Sequence, residues 1–421
     1  MGFYIPETKK KRVIIIGGGF AGISIARRID SKLFQTVLID KNNYHQFQPL
    51  IYQVASSGLE GASICFPLRR LFHNKKDFFF RMAKVIRVDD TNKTLQTSIG
   101  DITYDYLVVC AGATSNFPDN GNIRAAGIPM KTVEEAMYLR NRIIENFEFA
   151  LNAPENEREY YRNIVIVGGG ATGVEVAGII SEMCRFALPK NFKSEDYLSP
   201  RIFLISSKIL GTMSVHASNY AEKKLSKMGI SIIKGKRVVD YVDESVIMDD
   251  GSSIMSKLLI WVSGIKAITI DGIPETSLGR GGRILCDGFM RVKGMDNVFA
   301  AGDIALTSEE KYPDGHPQLA QVAIQQARLI ADNLKAELTG KQPKQFKYLN
   351  LGSMATIGRN KAVADIGSVK MSGFFAWVLW MTVHLRSILG VRNKLLVLFD
   401  WITNYFNFRG SLRVLIFKGK R

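Results

Sequence analysis

Two glycine-rich loops of one design constrain this 421-residue chain more than any other feature. Residues 17–25 read GGGFAGISI, and residues 168–176 read GGGATGVEV. A lone G-x-G-x-x-G is a weak signal, but between a strand and a helix it marks a dinucleotide-binding turn. Arg12–Ile16 (RVIII) is buried-strand material, and SIARRIDSK after the first loop reads as a helix. Gly17 permits the tight turn, Gly19 lets the backbone approach a pyrophosphate, and Gly22 lets helix and strand pack closely. With Phe20 and Ala21 these glycines open a helix whose free N–H groups and dipole favour a phosphate. The next strand, Thr36–Ile39, ends at Asp40 and Lys41, where a carboxylate can accept from ribose hydroxyls.

The second unit repeats the plan. Asn163–Val167 (NIVIV) is its strand, Gly168, Gly170, Thr172 and Gly173 its loop, and Val174–Phe186 its helix. After an insertion rich in Lys, Pro and Ser, the strand Arg201–Ile205 ends in Ser206-Ser207-Lys208 instead of an acid. Without a carboxylate nothing repels a 2′-phosphate, while a neutral Ser can still bond the ribose of NADH. The choice between NADH and NADPH therefore stays open. Two further apolar strands, Tyr106–Cys110 and Leu258–Val262, continue into AGATSNF and SGIKA, which makes Ala111, Gly112 and Gly264 nucleotide-site candidates. The segment Asn297–Asp303 (NVFAAGD) can aim Asp303 at a polyol chain while Gly302 permits close approach.

The formal charge is +17, and residues 366–421 hold nine basic residues against one acid, Asp400. The four cysteines form no CxxC and no metal-ligand spacing, so reduced thiols in a cytosolic setting and no metal site are expected. The basic lead MGFYIPETKKKR has no apolar signal core, so no export is expected.

Two Rossmann units, with NVFAAGD returning to the first, resemble the two-dinucleotide-domain flavoprotein disulfide reductases. The redox cysteine pair of disulfide-reducing members is missing, and the sulfide–quinone branch also relies on paired cysteines. NYHQFQPLIYQVA (43–55), GVEVAG after the second loop, LAQVAIQQ (319–326) and the tryptophan-bearing C-terminus are similar to segments of type II NADH dehydrogenases, the non-pumping NADH:quinone oxidoreductases. The resemblance implies FAD at Gly17, Gly19, Gly22, Asp40 and Asp303, with Tyr44, His45 and Gln48 near the flavin. It implies NAD(P)H at Gly168, Gly170, Gly173 and Glu175, with Glu175 beside the nicotinamide and quinone. Gln321 and Gln325, next to Ala320, match the quinone-lining AQxxxQ motif. Spaced four apart on a helix, these amides share one face and can donate to quinone carbonyls without adding charge. Typical NADH-using members carry Glu at position 206, so strict NADH specificity does not carry over.

FFAWVLWMTV (374–383) is apolar but ends well short of the roughly 20 residues of a spanning helix. Trp and Phe interleaved with Lys and Arg there suit helices lying in a headgroup region and attracted to anionic lipid. The expected fold is α/β: two Rossmann-like dinucleotide-binding domains plus a C-terminal amphipathic helical membrane-anchoring region. Residues 1–120 and 273–345 would hold FAD, 121–272 NAD(P)H, and 346–421 would meet the membrane. The expected protein is a homodimeric peripheral enzyme on the cytoplasmic face of the inner membrane. It would pass two electrons from NADH or NADPH through FAD to a membrane quinone and bind no nucleic acid. The rivals are a soluble reductase of a ferredoxin-like protein and a nucleotide sensor resembling apoptosis-inducing factor.

Overall fold

The computed structural model describes residues 4–190, 199–407 and 414–415. Part of the Lys/Pro/Ser-rich insertion, and tail cations such as Arg409 and Lys420, lie outside the described residues. The chain divides into two compact units. One comprises Met1–His45, Phe66–Thr114 and Ile265–Asn350, and the other Gln46–Cys65, Ser115–Gly264 and Leu351–Arg421. The division thus places Gln46–Cys65 and the C-terminal region with the second nucleotide unit.

The first unit is built on a five-stranded parallel sheet. Its spatial order is Val298–Ala300, Tyr106–Val109, Lys11–Ile16, Phe34–Asp40, Phe78–Met82. Val13, Ile14 and Ile15 are fully buried, as a central parallel strand covered on both faces requires. Val298–Ala300 comes from far along the chain, yet Phe299 pairs in register with Val108. Helix Phe20–Arg28 packs on helix Ala320–Leu338.

The second unit has a four-stranded parallel sheet ordered Ile230–Lys234, Arg201–Ser206, Asn163–Val167, Leu258–Trp261. Helix Val133–Asn152 opens with a capping box in which the Glu135 N–H donates to Thr132 Oγ1 (3.2 Å) and the Thr132 N–H to Glu135 Oε2 (3.0 Å). Helix Ala171–Glu182 runs into one π-helical turn, Met183–Ala187.

A three-stranded antiparallel sheet comes next in the same unit: Ser353–Gly358, Lys361–Ile366 and Val369–Gly373. No sequence pattern announces it. Ala355, Thr356 and Ile357 are buried in succession, as are Ala362, Val363 and Ala364, so the alternation that flags a half-buried strand is absent. Helices Phe374–Ser387 and Val391–Asn407 complete the unit, with Gly390 at φ 80° turning the chain between them. Among the described residues no helix is long and apolar enough to cross a membrane.

Candidate functional site

In the first unit, Gly17, Asp40, Ala111-Gly112 and Gly302-Asp303 all lie at the C-terminal ends of strands in one parallel sheet, where dinucleotides bind. Two glycines are enforced by crowding. A Cβ on Gly17 would lie 2.4 Å from the Cys110 carbonyl oxygen, and one on Gly22 would lie 1.8 Å from that of Gly17. Above Gly19, the helix N-cap, and above Gly112 there is open space instead, as an approaching dinucleotide needs.

Between these glycines the Gly18 peptide is held at both ends. Its N–H donates to Asp40 Oδ2 (2.6 Å), and its carbonyl lies 3.0 Å from His45 Nδ1. Because a carbonyl only accepts, Nδ1 carries the proton. Burial pushes the His45 pKa down to about 4, so the ring is neutral at pH 7. His45 is therefore a positioning residue for the loop, with Phe20 edge-on against its ring at 5.2 Å. Asp40 also accepts from Asn42 N–H (2.7 Å); burial raises its pKa, and the two backbone bonds oppose that.

Gln326 does not stand out in the sequence, where the AQxxxQ motif draws attention to Gln321 and Gln325. It is fully buried, its Oε1 accepts from the Gly302 N–H (2.8 Å), and its Nε2 has no partner among the described residues. An amide that fixes the Gly302-Asp303 turn and keeps an unused donor fits a flavin dinucleotide there, and only a buried contact could reveal it. Gln325 spends its amide on the Leu349 backbone, donating to its carbonyl (2.9 Å) and accepting from its N–H (3.0 Å). Gln321 lies in the first turn of helix Ala320–Leu338, preceded by Gln318, which donates to the Asp303 carbonyl (2.8 Å).

The second unit repeats the loop geometry. A Cβ on Gly173 would meet the Gly168 carbonyl at 1.7 Å, while Gly170, again the N-cap, faces open space next to exposed Thr172. The Gly169 N–H donates to Ser206 Oγ (2.9 Å), the role Asp40 plays in the first unit. Gly264 lies beyond the strand Leu258–Trp261 at φ 85°, and Gln48 donates to the Lys131 carbonyl (3.2 Å).

Behind this loop lies a cleft of about 940 Å³, part of it open to solvent. Glu175 and Glu182, two turns apart on one helix, both line it. Glu175 keeps some solvent access through the cleft, yet burial pushes its pKa up to about 8, against the pull of the Thr356 N–H (3.4 Å). From Thr356 a hydrogen-bonded chain crosses the cleft wall. Thr356 Oγ1 and Tyr52 Oη share a bond (2.8 Å), Gln53 Nε2 donates to Tyr52 Oη (3.0 Å), and Trp401 Nε1 donates to Gln53 Oε1 (2.7 Å). Glu182 accepts from the Arg359 N–H (2.7 Å), and the Arg359 guanidinium donates to the Asn404 and Tyr405 carbonyls near the end of the last helix. Trp380, fully buried, stacks on His384 at 4.0 Å, and burial holds that histidine near pKa 4 and uncharged. Tyr52 and Gln53 lie in the segment 43–55, and Trp380 and Trp401 in the tryptophan-bearing C-terminus, but only the fold brings them together with Thr356 around one cavity.

All four cysteines are free thiols, three of them buried, and burial raises their pKa values, Cys65 to about 11 and Cys286 to about 12. A thiolate relay has no support in this setting.

Comparison with known proteins agrees with this geometry. Residues 11–327 match the pyridine nucleotide-disulphide oxidoreductase family, and residues 350–410 match the NDH2 C-terminal domain. Type II NADH:quinone oxidoreductase Ndh of Mycobacterium tuberculosis is 32% identical over 96% of this chain and 90% of its own length. NdhA of the same organism is 33% identical over 93% of this chain and 86% of its own length. The solved structure of NDH2 from Plasmodium falciparum in complex with NADH superposes with a TM-score of 0.88 at 19% identity, covering 96% of this chain and 100% of that one. A sulfide:quinone oxidoreductase from Aquifex aeolicus is less similar in fold, with a TM-score of 0.72 at 18% identity over 94% of this chain and 95% of that one. The two family models, which between them span residues 11–410 almost without a gap, and relatives 32–33% identical over more than nine-tenths of its length place this chain among the type II NADH:quinone oxidoreductases of the pyridine nucleotide-disulphide oxidoreductase family.

Proposed function

We propose that this chain carries two electrons from NADH, by way of FAD in the first unit, to a membrane quinone, without moving protons across the bilayer. The observation that carries the reading is an aromatic cleft beside the second nucleotide loop, ended by a carboxyl that keeps its proton at neutral pH. FAD supplies the two-electron carrier between the nicotinamide and the quinone. The protein's own part is binding, orientation and proton supply. Asp40 accepts ribose hydroxyls, while His45 and Gln326 fix the peptides of Gly18 and Gly302.

Quinone reduction consumes protons, and protonated Glu175 is placed to donate one from its carboxyl oxygen. Walls formed by Tyr52, Trp380 and Trp401, with neutral His384 behind them, suit an uncharged ring. Gln321 is the amide proposed to donate to a quinone carbonyl. Gln325 acts through Leu349, bracing the segment beyond its helix.

The last two helices expose Phe374, Phe375, Val391, Leu395, Phe399 and Phe406, an apolar surface flanked by Arg386, Arg392 and Lys394. Such a surface inserts among headgroups, and its cations favour an anionic leaflet by roughly 1 kcal/mol each. The proposed location is peripheral, on the cytoplasmic face of the membrane.

Anaerobic flavin absorbance tests the whole reading. NADH should bleach the flavin rapidly and a soluble quinone should restore it. Bleaching without return would overturn the quinone assignment, and purification without flavin would overturn the cradle.

A further inference from the structure

The nicotinamide unit contains a subsite whose chemistry the family assignment leaves open. We infer that Ser206, Ser207 and Lys208 form a pocket for the 2′-phosphate of NADPH, so that this chain oxidises NADPH as well as NADH; the inference rests on the nucleotide reading under Proposed function. The two units supply an internal comparison. In each, the N–H of the second loop glycine donates to the residue that ends the next strand: Gly18 to Asp40 at 2.6 Å, Gly169 to Ser206 at 2.9 Å. A carboxylate at that position accepts from a ribose 2′-hydroxyl and repels a 2′-phosphate. Ser206 has the geometry without the charge.

The residues just beyond Ser206 supply a cation. The Ser206 hydroxyl donates to the Lys208 carbonyl (2.9 Å), and the Leu210 N–H donates to the Gly169 carbonyl (2.7 Å). The segment is thereby folded back over the loop so closely that a Cβ on Gly169 would lie 2.4 Å from Lys208 O. This holds the Lys208 backbone over Gly169, next to the open Gly170, with Ser207 and Lys208 exposed and the Lys208 stem running along Gly211. Residues 206–213, SSKILGTM, contain no acid. On the neighbouring strand the register partner of Ser206 is Lys234, which is paired with Glu222 (2.9 Å). Among the described residues Lys208 has no carboxylate at ion-pair distance, so its charge is available to a phosphate. Ser206 Oγ retains acceptor capacity, which keeps NADH a substrate.

The test compares NADH with NADPH in anaerobic bleaching of the flavin, with wild type, S206E, K208Q and K208E. NADPH should bleach wild type within about tenfold of the NADH rate, and S206E should lower the NADPH-to-NADH ratio at least about 100-fold through like-charge repulsion. K208Q should lower the ratio about tenfold and K208E further, which decides the matter if S206E does not fold. Calorimetric binding of adenosine 2′,5′-bisphosphate against AMP reads the subsite without turnover. Preference for the bisphosphate, lost in K208E, is expected. Fast bleaching by NADH with none by NADPH, and no bisphosphate preference, would overturn the subsite and leave the enzyme reading intact. Bleaching by neither nucleotide would overturn the enzyme reading, and the binding experiment would still judge the subsite.

Discussion

Gly178 and Ile357 meet backbone to backbone: a Cβ on Gly178 would stand 1.9 Å from the Ile357 carbonyl oxygen. The helix carrying Glu175 and the strand carrying Thr356 therefore approach as closely as two backbones can, which brings the Thr356 N–H to the Glu175 carboxyl. Even one methyl group must separate them. Gly178→Ala should lower stability by about 1–3 kcal/mol, the range for overpacking a tight core. Thermal denaturation checks this, and quinone-dependent reoxidation of the flavin should fall more than its reduction by NADH.

Glu175 makes the cleft pH-sensitive. Its pKa stands near 8 in the folded chain because burial disfavours the carboxylate, so the folded state holds a proton that the unfolded chain loses near 4.5. Stability should therefore decline as pH rises between those values, by about 3 kcal/mol after allowing for solvent in the cleft. Glu175→Gln should flatten that decline in denaturant titrations. In the same variant the fall of reoxidation rate above pH 8 should disappear from the pH profile, together with much of the rate.

His45 predicts the opposite slope. Its pKa is lowered to about 4, so the unfolded chain binds the extra proton between pH 6.5 and 4. Its contribution is complete above 6.5 and is lost as pH falls. Acidification should release flavin over that window, measured as free flavin fluorescence, and His45→Gln should release it more readily at pH 7 but with a weaker pH dependence.

The bond from Trp401 Nε1 to Gln53 Oε1 links the last helix to the cleft wall. Trp401→Phe keeps the aromatic surface and removes the donor. A loss of about 1 kcal/mol is expected in chemical denaturation. The quinone KM should rise, because Gln53, which donates to Tyr52 in the cleft wall, is then no longer held in place.

Phe375 is 75% exposed and Phe399 65% exposed, values that make sense against lipid and not against water. Replacing both by Ser should reduce cosedimentation with vesicles containing anionic lipid at least about tenfold. Flavin bleaching by NADH in solution, measured on the same preparation, should stay fast. Unchanged cosedimentation would remove these helices from the membrane contact.

The sequence by itself determined what depends on short stretches of chain. Each glycine loop is fixed by a strand before it, a helix after it and contacts only a few residues away, so GGGFAG and GGGATG announced themselves without the fold. Ser206 was legible for the same reason, as the residue ending the next strand. Tertiary structure alone decided the rest. Whether a histidine shuttles protons or clamps a peptide depends on what surrounds it, and His45 proved neutral and bonded to Gly18. The strand Ser353–Gly358 carries no periodic signal because both its faces are covered, and Gln46–Cys65 joins the second unit through contacts distant in sequence. The proton on Glu175 is likewise a property of the packing: burial raises its pKa against the pull of the Thr356 N–H, contributed by a distant strand, and no local pattern encodes a desolvation.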